Sequence, residues 1–125
     1  AEINDILRAE EYEKAIGDIN KELIKKQTTK KYSFTPITDK KGNNFILIKA
    51  KNLSKSKFNV ILSYGKDEDK SGGFVVTTLD NDEVNDYIIR VNTQESWFKI
   101  DNNWISLEPL GGDIEVYSIQ IVQGK

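Results

Sequence analysis

Two tryptophans that lie close together in the sequence are the residues best suited to recognise a ligand. Trp97 and Trp104 stand on either side of the short polar segment Asp101-Asn102-Asn103. An indole ring can stack on the apolar face of a sugar, and neighbouring amides can hydrogen-bond its hydroxyl groups. We therefore expect carbohydrate recognition. The candidate ligand-binding residues are Trp97, Trp104, Tyr64, Arg90, Asn92, Asn102 and Asn103.

A structural role competes with recognition, because aromatic side chains also fill the cores of β-sandwiches. Trp97 and Phe98 are adjacent, and consecutive side chains in a strand point to opposite faces. In a regular strand at least one of the two would be exposed or lie at an edge. Taken residue by residue, we favour core packing for Trp97 and for Trp104, with recognition as the alternative.

Arg90 is the only arginine in the strand-rich part of the chain. Its planar guanidinium binds a carboxylate through two hydrogen bonds, a geometry that lysine lacks. We favour an ion pair between Arg90 and an internal acid such as Glu108. Binding to a ligand carboxylate or to sugar hydroxyls is the alternative.

Acidic residues are concentrated at Asp67-Glu68-Asp69 and at Asp80-Asn81-Asp82-Glu83. Calcium is bound by carboxylate, amide and carbonyl oxygens, so the second segment is the candidate metal site. It lacks the glycine and the terminal glutamate of an EF-hand loop. We favour solvated turn residues for these segments, with a calcium site in the loop as the alternative. The candidate calcium ligands are Asp80, Asp82 and Glu83.

The residue types that are missing exclude several kinds of catalysis. The chain has no histidine and no cysteine, which rules out a Ser-His-Asp triad, a cysteine nucleophile and a thiolate zinc site. It also has no G-x-S-x-G motif, no P-loop and no dinucleotide fingerprint. We expect a protein that is not an enzyme and that needs no cofactor other than calcium, with a carboxylate-based activity left open.

Length and charge narrow the class of protein further. The chain has 125 residues, a length that suits one domain. Its 18 basic and 20 acidic residues give a net charge of −2, which does not favour a nucleic-acid partner. The chain contains no run of about 18 apolar residues, so we predict no membrane span within it. The bias towards lysine over arginine and towards isoleucine and asparagine suggests AT-rich codons, and hence a bacterium.

Apolar residues recur at helical spacing between residues 2 and 26. We predict an N-terminal helical segment over 1–30, a stalk or docking helix for another domain or chain. Gly17 is a possible break within it. The apolar stripe consists of Ile3, Ile6, Leu7, Tyr12, Ile16, Ile19 and Leu23.

After residue 31 the apolar period changes to two, which is typical of half-buried strands. About eight short strands separated by polar turns predict a mainly β domain over 31–125, an antiparallel β-sandwich of the jelly-roll type. In the last strand Ile114 and Val116 share one parity, whereas Tyr117, Ile119 and Ile121 share the other. A β-bulge around residues 116–118 would place both sets on the core face.

The final part of the chain resembles a known family. The segments are Tyr87-Ile-Ile-Arg-Val-Asn-Thr, then Trp97, then Asn103-Trp-Ile-Ser-Leu-Glu-Pro109, then the strand from Asp113 to Gly124. They are similar to the closing strands of galactose-binding-like jelly rolls, the fold of discoidin domains and many carbohydrate-binding modules. The resemblance implies a sugar or lipid-headgroup site on loops at one end, often with a structural calcium ion.

The expected function is therefore that of a non-catalytic carbohydrate-binding module at a bacterial cell surface, with a cell-envelope glycan as partner. The alternative is a structural or protein-interaction ectodomain of a larger membrane or cell-envelope protein, such as a glycosyltransferase. Either function implies an extracellular or cell-surface location.

Overall fold

Nine antiparallel strands form two sheets in a computed structural model that describes residues 12–17, 21–36 and 39–124. One short helix, α1 (Glu95–Lys99), lies in the chain between the seventh and the eighth strand. The strands are β1 (Tyr12–Gly17), β2 (Glu22–Ile24), β3 (Lys30–Ser33), β4 (Asn43–Asn52), β5 (Asn59–Lys66), β6 (Asp69–Thr77), β7 (Val84–Arg90), β8 (Trp104–Pro109) and β9 (Ile114–Gly124).

The strand pairs nest inside one another along the chain. β1 and β2 both pair with β9, β3 with β8, β4 with β7, and β5 with β6. One sheet has the order β1-β9-β4-β7, with β2 also beside β9, and the other has the order β3-β8-β5-β6. This order of strand pairing is the connectivity of a double-sheet jelly roll. The prediction of a mainly β, two-sheet domain is confirmed.

The main hydrophobic core lies between the sheets, because alternate side chains of each strand point inward. Ile46 and Ile48 of β4 belong to the same buried cluster as Leu62 and Tyr64 of β5. Phe45 and Leu47 have the opposite parity and belong to a second buried cluster on the other face of the five-stranded sheet.

The last strand contains the predicted β-bulge. Lys49 is opposite Ser118 and Ala50 is opposite Val116, so Tyr117 is the extra residue. Tyr117 is not part of the core cluster, whereas the other four apolar residues of the two predicted sets are. They are Ile114, Val116, Ile119 and Ile121.

The predicted N-terminal helix is wrong where the structure describes it. Residues Tyr12–Gly17 and Glu22–Ile24 are strands that pair with β9, and this long-range pairing overrides a local helical pattern. Leu23, which the helical pattern placed on the buried stripe, is 53% exposed, whereas Ile24 is 2% exposed. The rest of that prediction, over residues 1–11 and 18–20, lies outside the described residues. No helix in the described ranges is long and apolar enough to cross a membrane.

Candidate functional site

Trp97 and Tyr64 belong to the interior of the sandwich. Trp97 is 3% exposed, stacks on Phe34 at 5.5 Å between ring centroids and meets Tyr64 edge-on at 5.1 Å. Tyr64 is 0% exposed, and its hydroxyl lies 2.6 Å from the Ser96 hydroxyl. Neither ring has a free face on which a sugar could stack, so the sequence-based expectation of recognition by these two residues is not supported.

Helix α1 explains why Trp97 and Phe98 are both buried. The sequence predicted a strand here, in which adjacent side chains would point to opposite faces. In a helix, adjacent side chains are only about 100° apart, so both can face the same core. Phe98 is 8% exposed and belongs to the same buried cluster as Trp97.

Asn102 closes this helix and does not point to solvent. Its Nδ2 donates to the carbonyl oxygens of Ser96, Trp97 and Ile100 at 3.0, 3.1 and 3.0 Å. The residue is 1% exposed, and its buried Oδ1 has no hydrogen-bond partner within the described residues. Asn102 therefore fixes the turn that leads from α1 into β8 and is not available to a ligand.

Asn92 has a similar structural role at the same end of the sandwich. Its Oδ1 accepts a hydrogen bond from the Asn44 amide at 2.7 Å. Its Nδ2 donates to the carbonyl oxygens of Lys40 and Gly42. These bonds hold the segment before β4 against the end of β7, and they occupy the amide group that was expected to bind a sugar.

Arg90 does not lie near Glu108, so the favoured ion pair between them is wrong. Ile89 points into the core, and Arg90 therefore faces outward from the five-stranded sheet, opposite Phe45 in β4. Glu108 lies in β8 of the other sheet, and its neighbour Leu107 is a core residue. The two side chains consequently point away from the sandwich on opposite sides.

The acidic side chains of the loop before β7 are not gathered into one cluster. Among the described residues, no three acidic side chains come together as a metal site would require. Asp82 instead approaches Lys51, with 3.5 Å between Oδ1 and Nζ. The loop is braced by two hydrogen bonds between the amides of Asn81 and Asn85. Asp80, Asp82 and Glu83 are therefore loop residues in this structure.

Among the three aromatic residues that were predicted to bind a ligand, Trp104 is the one whose side chain does not belong to the core cluster between the sheets. Its neighbours Ile105 and Leu107 are each 1% exposed and point inward, so Trp104 faces outward from the four-stranded sheet. A Cβ at Gly65 would come within 2.5 Å of Cζ2 of the indole, so the ring packs against the Gly65 backbone. The Lys31 Nζ lies 4.2 Å from the ring centroid.

These two contacts leave Trp104 8% exposed. Its buried Nε1 has no hydrogen-bond partner among the residues that the structure describes. A buried N–H without a partner is unusual, because leaving such a donor unpaired costs about 1–3 kcal/mol. The indole therefore lies on the outer side of the sheet beneath the Lys31 side chain, and none of the described groups accepts a hydrogen bond from its Nε1–H.

The outward positions around Trp104 form three rows that run across the strands, and we call this surface the Trp104 face. The middle row consists of small residues next to one lysine and lies between the rows that hold the larger side chains of Trp104 and Ile61. We call this middle row the trough, and Ser106 within it is 5% exposed. The first row is Ser33, Trp104, Gly65 and Lys70, the middle row is Lys31, Ser106, Ser63 and Gly73, and the third is Glu108, Ile61 and Val75.

Asn103 stands at the rim of this face and joins two of its strands. Its Oδ1 accepts from the Asp67 amide, and its Nδ2 donates to Asp67 Oδ1, both at 3.1 Å. The backbone amide of Asn103 donates to the Gly65 carbonyl at 2.8 Å. Asp67 has a φ of 54°, a left-handed conformation that most residues avoid, and its two hydrogen bonds with Asn103 hold it there. Asn103 thereby positions Trp104 against Gly65.

Behind the face, Tyr32 connects β3 to β2. Its hydroxyl donates to Glu22 Oε2 at 3.0 Å, and the Lys30 Nζ lies 3.8 Å from the same oxygen. Burial raises the pKa of the Tyr32 hydroxyl far above its ordinary range, and the hydrogen bond to Glu22 and its negative charge add to the shift. The phenol therefore stays neutral and anchors the strand that carries Lys31.

A cavity at the other end of the sandwich fits a sugar poorly. The cavity itself is only about 20 Å³, and its exposed walls are apolar. The polar groups at its rim are already paired, because the Asn52 Nδ2 donates to the Thr78 hydroxyl at 3.0 Å. The lining residues are Ile48, Ala50, Lys51, Asn52, Val60, Val76, Thr78, Tyr87, Leu107 and Ile114.

Comparison with known proteins adds information on the fold. No family model and no curated protein sequence matches the chain. Among solved structures, the chain is similar to a β-porphyranase of glycoside hydrolase family 86 from the human gut bacterium Bacteroides plebeius, with a TM-score of 0.54 and 14% identity. The match covers 91% of this chain and 20% of that chain, so this chain spans about a fifth of its length. At this identity the likeness shows a shared fold, and it does not identify the galactose-binding-like type.

Proposed function

We propose that this domain binds carbohydrate, without cleaving it, through the Trp104 face. The observation that carries the proposal is the position of Trp104, outward on a sheet and beside a trough of small residues. A trough across the strands can hold an extended glycan chain, and an indole at its side can stack on one sugar ring.

Binding in this form requires Lys31 to move. Lys31 is exposed and attached through a flexible stem, so its ammonium can leave the Trp104 ring at low cost. The sugar then takes its place over the indole, and the unpartnered Nε1–H becomes a donor to a hydroxyl group. Lys31 and the exposed hydroxyl of Ser33 are positioned to hydrogen-bond further hydroxyls.

Two considerations favour binding over hydrolysis. Glycoside hydrolysis uses a pair of carboxyl groups across the scissile bond, and Glu108 is the only carboxylate among the residues that define the Trp104 face. The likeness to part of a β-porphyranase chain supports a carbohydrate-related role for the fold. We further propose that the module works outside a bacterial cell, where polysaccharides are accessible, and that it belongs to the galactose-binding-like type.

Affinity electrophoresis tests the proposal directly. The full chain is run through native gels that contain porphyran, agarose or starch, and we expect retardation in at least one gel. Trp104→Ala should abolish the retardation, whereas Leu53→Ala, an exposed substitution in the loop after β4 and outside the Trp104 face, should keep it. Unretarded migration of the folded wild-type chain in all three gels contradicts carbohydrate binding to these polymers, and retardation of a folded Trp104→Ala variant places the site elsewhere.

A structural or protein-interaction module is the second candidate, and one observation favours it. The three aromatic residues expected to stack on sugar are all less than 10% exposed in the chain: Trp104 8%, Trp97 3% and Tyr64 0%. In that case Trp104 stabilises the surface of the sheet and has no ligand. Trp104→Ala would then lower the midpoint of thermal unfolding. Neither the wild type nor this variant would be retarded in the polysaccharide gels.

A further inference from the structure

Exposed apolar side chains are concentrated at the end of the sandwich that holds the cavity. The described residues include seven large apolar side chains that are exposed, and four of them lie at this end. Single exposed apolar residues are normal in a soluble protein, whereas a concentration of them on one surface marks an interaction site. The four, which we call the apolar end, are Leu53, Leu79, Val84 and Leu110, and they are between 39% and 44% exposed.

The ends of four strands bring these residues together. Leu53 follows the last residue of β4, Val84 is the first residue of β7, and these two strands pair. Leu79 and Leu110 lie just beyond the ends of β6 and β8, the two strands that flank β5 where it begins. A hydrogen bond of 3.0 Å from the last residue of β4 to the Thr78 hydroxyl shows that both sheets end at the same place.

The loops at the apolar end are held by internal hydrogen bonds. The Asn52 side chain accepts from the Ser54 amide at 2.7 Å and donates to the Ser56 carbonyl oxygen at 2.9 Å. In the loop before β7, the side-chain amides of Asn81 and Asn85 pair with each other. Loops that are already ordered lose little conformational freedom on binding, which favours association.

The two flanks of the apolar end carry charges of opposite sign. Strands β2 and β7 lie at opposite edges of the five-stranded sheet. The turn after β2 carries the exposed Lys25 and Lys26, and the Lys26 amide donates to Asp113 Oδ1 in the loop that begins with Leu110. The loop before β7 carries three exposed acids, one of which contacts Lys51. These acids are Asp80, Asp82 and Glu83.

We propose that the apolar end binds a second copy of this chain in a two-fold dimer. In such a dimer both chains use the same surface, so each contact occurs twice with the roles exchanged. A two-fold axis between β9 and β4 exchanges the two edges of the sheet, so the lysine flank of each copy meets the acidic flank of the other. The four apolar residues are buried between these flanks. A partner of uniform charge would be repelled at one flank, so the arrangement favours a second copy.

The proposed dimer leaves both Trp104 faces free. Trp104 pairs with Gly65, which is six residues after Asn59, the first residue of β5. This separation is about 20 Å at about 3.3 Å per residue. The dimer therefore does not rest on carbohydrate binding, and each proposal can fail without the other.

Sedimentation velocity of the full chain tests the dimer. An interface at one end of the sandwich is small, so we expect the dimer fraction to rise between micromolar and millimolar concentrations. Leu79→Ser together with Leu110→Ser should weaken the dimer about tenfold or more, because two leucine side chains lose their burial. Ile100→Ser, a similarly exposed position at the opposite end, should leave the dissociation constant unchanged.

Two results would overturn the proposal. One is a wild-type chain that stays monomeric at a concentration of about 1 mM, where even a weak dimer forms. The other is an unchanged dissociation constant in the folded Leu79→Ser, Leu110→Ser variant, because the dimer contacts would then lie elsewhere. Circular dichroism establishes that the variant is folded.

Charge reversal tests the pairing of the two flanks. Lys25→Glu with Lys26→Glu makes both flanks acidic, and Asp80→Lys with Glu83→Lys makes both flanks basic. Each variant alone should dimerise more weakly than wild type, because like charges face each other. An equimolar mixture of the two should form a heterodimer at least as tight as the wild-type dimer. Weak association in the mixture contradicts the two-fold arrangement.

Vesicles distinguish a second copy from a membrane surface. The chain is sedimented with vesicles of phosphatidylcholine and phosphatidylserine, and we expect it to stay in solution, because the acidic flank is repelled by an anionic surface. Co-sedimentation that is lost in the Leu79→Ser, Leu110→Ser variant would assign the apolar end to a lipid surface and overturn the proposal.

Discussion

The ammonium group of Lys31 lies 4.2 Å from the centroid of the Trp104 ring, on the outer surface of the four-stranded sheet. The two residues are brought together by strand pairing, since β3 lies beside β8. A cation above an indole is attracted to the negative face of the ring. This contact holds the indole in place and also keeps it from solvent.

Replacing Lys31 should therefore uncover Trp104. We expect Lys31→Ala to lower the free energy of unfolding by about 0.5–1 kcal/mol, the range for a cation–π pair at an exposed site. Quenching of tryptophan fluorescence by acrylamide should increase at the same time. Lys57→Ala, an exposed loop substitution, serves as control and should change neither value. Equal quenching in both variants would mean that Lys31 does not shield the ring.

Gly65 should tolerate no side chain. A Cβ there would collide with the Asp69 carbonyl oxygen and come within 2.5 Å of the Trp104 ring. We predict that Gly65→Ala lowers the free energy of unfolding by about 1–3 kcal/mol, the usual cost of overpacking. Chemical denaturation measures this loss. Ser63→Ala, at the next outward position of β5, is the matched control and should unfold nearly as the wild type does.

Asn102→Asp should be strongly destabilising at neutral pH. The substitution removes an amide donor to three carbonyl oxygens and replaces it with a buried carboxylate. We expect a loss of about 1–3 kcal/mol or more in urea denaturation, because those acceptors lose their partner. In Asn59→Asp the carboxylate still accepts from the Thr77 hydroxyl, so this variant should stay within about 0.5 kcal/mol of wild type.

The raised pKa of Tyr32 predicts a dependence of stability on alkaline pH. Below pH about 10 the phenol is protonated in both states, and its full contribution to stability is present. Above that pH the unfolded chain loses the proton first, which favours unfolding until the folded-state pKa is reached. Urea denaturation between about pH 8 and pH 11 should therefore show a shallower alkaline loss in Tyr32→Phe than in wild type. Parallel curves for the two proteins would contradict this assignment.

Strand periodicity allowed much of the sandwich to be predicted. The alternation in β4, β5 and β7 and the phase slip in β9 are local signals, and the sheets follow them. Residues 12–17 and 22–24 were assigned to the wrong element because their partner is β9, about a hundred residues later in the chain. A short polar segment can carry a weak helical pattern and still become a strand when its partner supplies the hydrogen bonds.

The candidate site was predicted less completely, and the reasons are again physical. Alternation with Ile105 and Leu107 identifies Trp104 as outward once β8 is recognised. The adjacency of Trp97 and Phe98 was misleading, because the rule of opposite faces applies to strands and these residues lie in a helix. The contact with Lys31 and the space above Gly65 depend on the pairing of distant strands, which the sequence alone does not specify.

The nested strand order has a consequence for synthesis on the ribosome. Strand β9 lies between β4 on one side and β1 with β2 on the other, so the five-stranded sheet depends on residues 114–124. During translation β1, β2 and β4 emerge long before β9, and their backbone hydrogen-bonding groups that face β9 stay unpaired until it appears. These strand edges are consequently open to pairing with other chains until β9 leaves the exit tunnel.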